Sequence, residues 1–228
     1  RQMCIRDSST EMLGSFYVND LYTTSGNLFG MGGRTASTTT GILIDGNRYE
    51  ALKRFVYDRQ PDGDAGLDTR FDVWFQSSSE YSNYDFTKFL EPAKRQGLGN
   101  AYYPEIPIMR LSEIYYIACE AQIGKDNALA LQYLNDVRDN RNLSLIQTVP
   151  DDATLLEYLV REMRKDFIGD GRTFLMHKRL FYDIYTVRGE TVPASDNIFV
   201  IPIPDDEYEF SGIEKPGNTT DNNQSELL

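Results

Sequence analysis

The stretch IPIMRLSEIYYIACEAQIGKDNALALQYLNDVRDNR, from Ile106 to Arg141, decides the fold class. Ile108, Leu111, Ile114/Tyr115, Ala118 and Ala121/Gln122 recur at three- and four-residue steps, which gives a helix one apolar face. Gly124-Lys125-Asp126 then breaks the pattern with a helix stop and an N-cap. Ala128, Leu131, Leu134/Asn135 and Arg138 restart it in a second helix. Ala118, Ala121, Ala128 and Ala130 are short enough to let two helices approach closely. Such a hairpin cannot bury its apolar face alone, so it predicts stacked neighbours of the helical-repeat kind.

Downstream, residues 154–167 place Leu156, Leu159, Val160, Met163 and Phe167 on one helix face. Gly169-Asp170-Gly171 interrupts, and residues 172–184 read as a fourth helix presenting Phe174, His177, Phe181 and Ile184. Residues 198–203 are apolar, but Pro202 and Pro204 restrict any strand there to an edge. Residues 214–228 read as a polar, flexible tail. Upstream, residues 9–66 are rich in Gly, Ser, Thr and Asn. Residues 42–44 form a β-prone run that meets the turn dipeptide Asp45-Gly46. Residues 49–57 fit a helix or a strand equally. RFDVWF at 70–75 alternates as a strand, residues 77–83 read as a polar loop, and 84–90 as a partner strand. The expectation is one mainly α domain over 9–213. Tetratricopeptide-like helical hairpins fill 104–213, and a loop-rich region containing short strands fills 9–103.

Composition excludes several functions. Asp and Glu total 35 against 23 Lys and Arg, a net charge of -12. Such a surface repels phosphate backbones, which argues against nucleic acid as a partner. Arg161, Arg164 and Lys165 cluster, but Glu162 and Asp166 are interleaved with them. Cys4 and Cys119 make no disulfide framework, and Cys119 reads as a small core residue. No apolar run reaches membrane-spanning length. The opening RQMCIRDS lacks the apolar region of a signal peptide, so residues 1–8 read as a non-native leader. A catalytic triad would have to use the single histidine, His177, whose default reading is a helix-face side chain. Asp62, Asp64 and Asp68 are the only carboxylate cluster suggesting a metal, and they lack the calcium-loop spacing. Gly30-Met31-Gly32-Gly33 lacks the Lys-Ser/Thr of a phosphate loop. No cofactor and no enzymatic activity are expected.

Several segments together resemble the SusD/RagB family. They are Arg110-x-x-Glu113, Ala118-Cys119-Glu120-Ala121, Leu134-Asn135-x-Val137-Arg138-x-x-Arg141, Arg161-Glu162-x-Arg164-x-Asp166-Phe167-x-Gly169-Asp170-Gly171-Arg172, and Ile201-Pro202-Ile203-Pro204-x-x-Glu207. Asp68-x-Arg70 fits more loosely. Leu175 stands where the family usually carries an aspartate, which predicts altered packing around the fourth helix. The resemblance implies a nutrient-binding lipoprotein at the outer-membrane cell surface, which passes a glycan or a peptide to a SusC-like TonB-dependent transporter. It also implies that the family's N-terminal half and lipid anchor lie outside this sequence. A helical-repeat protein–protein adaptor is the alternative, and a carbohydrate-active enzyme a third reading.

Fifteen tyrosines point the same way, because a phenol offers a flat apolar face and a polar tip. Tyr81-Ser82-Asn83-Tyr84 is the most binding-like run, aromatic and polar in an apparent loop. The candidate ligand-binding set is Tyr81, Asn83, Tyr84, Trp74 and Tyr57. Trp74, inside RFDVWF, reads first as a core ring and second as a ligand contact. Arg110 with Glu113 reads as an ion pair one helical turn apart. Asn135 and Arg138 read as structural donors to nearby carbonyls.

Overall fold

The computed structural model describes residues 11–17, 44–57, 68–77, 83–86, 88, 105–186, 189–201 and 204. Residues 1–8 and 214–228, the Gly30–Gly33 motif and Tyr81 lie outside them, so the expected leader and tail do too. The fold is mainly α-helical with short strands. Helices α3 (Leu111–Gln122) and α4 (Asn127–Asp139) form the hairpin. Gly124 makes its turn at φ +77°, and Asp126 caps α4 by accepting from the Leu129 amide at 3.0 Å.

The buried face of α3 differs from the face read by periodicity. Ser112, Tyr116 and Cys119 are buried, with Tyr115 and Ile123 packed against the same core. Ile114 is 40 % exposed and Ile117 55 %. Ala121 and Ala128 are exposed too, while Cys119 and Ala130 are fully buried in the shared core. Apolar residues lie on two sides of this helix, and periodicity alone does not choose the side that is covered. The helix also starts later than expected. Residues Glu105–Arg110 form strand β5, antiparallel to β1 (Met12–Tyr17), so Ile108 belongs to a strand.

Helix α5 (Asp152–Asp166) is capped by Asp151, whose carboxylate accepts from the Thr154 amide at 2.8 Å. Its Leu155, Leu159, Val160 and Met163, with Phe167, close the first core over Tyr116, Leu131, Leu134 and Val137. Helix α6 (Thr173–Leu180) ends early, because Phe181 takes left-handed φ 47°. Ile184–Tyr185 then forms strand β6, paired with β7 (Thr191–Val192). On α6 the buried side chains are Met176 and His177, while Phe174 and Phe181 are exposed. Both rings lean on Phe199 of α7 (Asp196–Phe199), with centroids 5.7 and 5.9 Å away. Leu175 is 61 % exposed, so in this structure it repacks no core around α6.

The upstream half holds a second core. Strand β2 (Ile44–Asp45) runs straight into α1 (Gly46–Leu52) and a π-helical turn (Lys53–Tyr57), so Asp45-Gly46 closes no hairpin. The RFDVWF segment is helix α2 (Thr69–Trp74), and only Phe75 enters strand β3 (Phe75–Ser77). The N-cap decides this: Asp68 accepts from the Arg70 amide at 3.1 Å. Six alternating residues also satisfy a helical step, and Arg70, Phe71 and Trp74 are the buried ones. Strand β4 (Asn83–Phe86) lies between β2 and β3, antiparallel to both. Val56, Tyr57, Phe71, Trp74, Phe75 and Phe86 form the core beneath this sheet.

Candidate functional site

A buried charge network joins the two cores. Arg70, 0 % exposed, pairs with Asp68 at 2.7 Å, Glu162 at 2.7 Å and Asp166 at 2.8 Å. Glu162 also accepts from Lys165 at 2.8 Å and Arg138 at 3.2 Å. Arg141 grips Glu11 with both terminal nitrogens, at 2.6 and 2.8 Å, and lies 3.5 Å from Asp166 through Nε. The Tyr116 hydroxyl donates to Asp166 at 2.7 Å, and the Tyr57 hydroxyl to the Lys165 carbonyl at 3.2 Å. Burial opposes ionisation of Asp166, yet Arg141 and Arg70 outweigh it and hold the carboxyl well below its usual range. Burial likewise opposes Glu162, but Lys165, Arg70 and Arg138 hold it at about 2. Each buried charge has a partner, which is what makes burial tolerable.

A loop past α5 forms a second hub. Gly169 and Gly171 adopt φ +78° and +73°, presenting Asp170 between them. Asp170 binds Arg110 and, at 2.8 Å, Lys88. Arg172 binds Glu113 and the Ile108 carbonyl. The local Arg110–Glu113 pair read from the sequence is thus replaced by two pairs between elements. Asn135 does bond backbone, exchanging two 3.0 Å hydrogen bonds with Ile146, and Arg138 donates to the Ser144 carbonyl at 2.6 Å.

The five candidate ligand residues separate. Tyr57 is 2 % exposed and Trp74 8 %. Their rings are packed in the second core and present no free face to a sugar, which corrects the expectation for both. Trp74's ring is further covered by Lys88 Nζ at 4.5 Å from its centroid. Asn83 and Tyr84 lie together on the central strand β4, opposite Asp45 and Ile44. Tyr81 falls outside the described residues. Lys88, which follows β4, was not singled out by sequence reading, since an isolated lysine carries no pattern. Asp170 was legible only as part of a glycine-flanked motif.

The other candidate chemistries meet structural explanations. Asp68 is occupied by Arg70, Asp62 and Asp64 lie outside the described residues, and no metal-binding cluster occurs among those described. His177 is 1 % exposed; Nδ1 faces the Tyr182 carbonyl at 3.3 Å, and burial lowers its pKa. Cys119 is fully buried, and burial followed by Glu120 pushes its thiol up to about 12, so it is a poor nucleophile. A groove of about 540 Å³ on the helical side is lined by Leu145, Gln147, Thr148, Pro150, Asp151, Thr154 and Tyr158.

No curated protein sequence matches the chain. Solved structures share its fold. A SusD-like carbohydrate binding protein from Bacteroides vulgatus superposes with a TM-score of 0.60 at 17 % identity, over 94 % of this chain and 51 % of its own. A SusD superfamily protein from Bacteroides thetaiotaomicron gives 0.57 at 19 %, over 89 % and 47 %. One from Parabacteroides distasonis gives 0.52 at 13 %, over 80 % and 42 %. The chain therefore spans about half the length of these relatives. The SusD family profile matches residues 42–224, which include the β2–β4–β3 sheet, the charge network apart from Glu11, and helices α3 to α6. On that match, the chain belongs to the SusD family.

Proposed function

We propose that the protein captures a glycan, or a peptide, at the outer-membrane surface without catalysis, for uptake through a SusC-like TonB-dependent transporter. The family match over residues 42–224 carries this reading. One relative of the same fold is described as a carbohydrate binding protein. Ion pairs of Arg70 and Lys88, which flank strands β3 and β4 in sequence, with α5 and Asp170 support the reading, because a surface ordered before ligand arrives loses little freedom on binding. Contact is assigned to the 81–84 segment, by stacking on Tyr81 and Tyr84 and hydrogen bonding from Asn83. Attachment to the membrane is through a lipid anchor; among the described residues no helix is long and apolar enough to cross it.

The test is a glycan and peptide array probed with the full family-length protein, followed by calorimetry on the best binder. Binding without turnover is expected, with affinity lost in Tyr81→Ala or Tyr84→Ala while the helical signal is kept. Unchanged affinity in both variants removes the site. Hydrolysis of the bound oligosaccharide removes the non-catalytic reading. The helical-side groove favours a second reading, a protein–protein adaptor. Protein capture abolished by Tyr158→Ala, with no glycan bound, would establish it instead.

A further inference from the structure

We infer that Lys88 is the positioning residue of the candidate ligand strand, docking β4 onto the C-terminal end of α5. The carbonyls at a helix end lack intrahelical partners and carry partial negative charge. Lys88 Nζ meets that end. It donates to the Asp166 carbonyl at 2.5 Å and the Ile168 carbonyl at 2.9 Å. A third acceptor is the Asp170 carboxylate at 2.8 Å. An ammonium has three donors, so all of them are used. The Trp74 ring, 4.5 Å away, covers the remaining side. One side chain thus joins the end of β4 to α5, to the 169–171 loop and to α2. The charged groups that face it are Asp170, Arg110 and Asp166.

The strand it holds is short. Strand β4 contributes four residues, and its partners β2 and β3 have two and three. Sheets this small are marginal without an external support. Lys88 lies two residues past Phe86, the ring through which β4 enters the second core. Phe86 supplies burial, and Lys88 supplies the directional contact to the helices. Its functional meaning rests on the reading that β4 carries ligand contacts, but its role in holding the strand can be read without ligand.

The experiment is hydrogen exchange on the full chain, unliganded, comparing wild type with Lys88→Met and Lys88→Arg. Met matches the stem but has no donor. In Lys88→Met the amides of residues 83–86 should exchange about tenfold faster or more, while those of α3 and α4 keep their protection. Arginine, which keeps a donor group, should restore part of the protection. Emission from Trp74, the single tryptophan, should change in the Met variant. Equal 83–86 protection in wild type and Lys88→Met, with the same emission, overturns the inference. Should Lys88→Met fail to fold, Asp170→Asn is read instead: faster exchange at 83–86 supports the clamp, and wild-type exchange there overturns it. A flat exchange result leaves the glycan reading standing, and a failed glycan assay leaves the clamp standing.

Discussion

Arg70 and Asp166 are 96 residues apart in sequence and 2.8 Å apart in space, both completely buried. The pair sits where the sheet-bearing half meets the helical half, so it couples the two cores. Arg70 also spans Asp68 and Glu162, and its planar fork supplies a donor to each carboxylate. In Arg70→Met, three buried carboxylates lose their shared cation. Breaking a buried pair from one side costs about 3–5 kcal/mol, and that loss is expected in urea denaturation. Arg70→Lys should recover only part of it, because Arg70 makes four side-chain hydrogen bonds to the carboxylates and an ammonium has only three donors.

The same network sets the acid response. Glu162 has a folded pKa of about 2 against an ordinary 4.5, and Asp166 is shifted the same way. A lowered carboxylate pKa means the unfolded chain binds protons first as pH falls. The stabilisation is therefore complete above about pH 4.5 and is lost progressively as pH drops toward 2. His177 adds to this from higher pH: burial keeps it neutral when folded, so stability declines as pH falls below its ordinary 6.5. Urea midpoints measured across this range should fall with acid. Glu162→Gln should start lower and fall less steeply.

The family motifs mark this network better than they mark a binding site. Arg138, Arg141, Glu162, Asp166 and Asp170 all belong to the segments that carry the resemblance, and all proved to be cross-element partners. The hairpin was legible because Gly124 and Asp126 punctuate it and its apolar residues repeat regularly. The alternation of RFDVWF does not reveal helix α2, because six residues cannot distinguish two periods and the cap at Asp68 reports only once its geometry is known. The strand character of Ile108 is not local, because the pairing of β5 with β1 depends on a strand about a hundred residues away. Tyr57 gives no sign of burial in the sequence, because composition says which rings exist while long-range packing says which are covered; Trp74, inside an apolar six-residue run, is the core ring that its place favours.

A close approach in the β6–β7 turn can be tested with one methyl group. Gly189 has φ +84°, and a Cβ there would lie 2.6 Å from the Phe55 ring. Gly189→Ala therefore combines left-handed strain with a steric clash. A loss of about 1 kcal/mol or more is expected in thermal unfolding. Combining it with Phe55→Ala should recover the clash but not the strain, so the double variant should be less destabilised than the sum of the two singles. Strict additivity would show that the ring moves aside freely.

Lys88 over Trp74 makes the clamp spectroscopically visible. Burial, followed by Arg110, pulls the Lys88 pKa from 10.5 down to about 7 against the opposing pull of Asp170. The docked lysine therefore gives up its proton near neutrality, while an undocked lysine keeps it to about 10.5. Between those limits the unfolded chain holds the extra proton, so the clamp's contribution to stability increases as pH rises. Below about 7 the docked lysine is an ammonium, whose burial beside Arg110 is offset only in part by Asp170 and Asp166. The neutral amine above that pH still has two N–H donors for its three acceptors. Because Trp74 is the only indole, its emission should titrate with a midpoint near 7. Lys88→Met and Lys88→Arg should both abolish that step, since neither side chain titrates there. A midpoint near 10.5 in the wild type would mean that the acceptors around Nζ compensate its burial in full, and that the clamp is cationic throughout the neutral range.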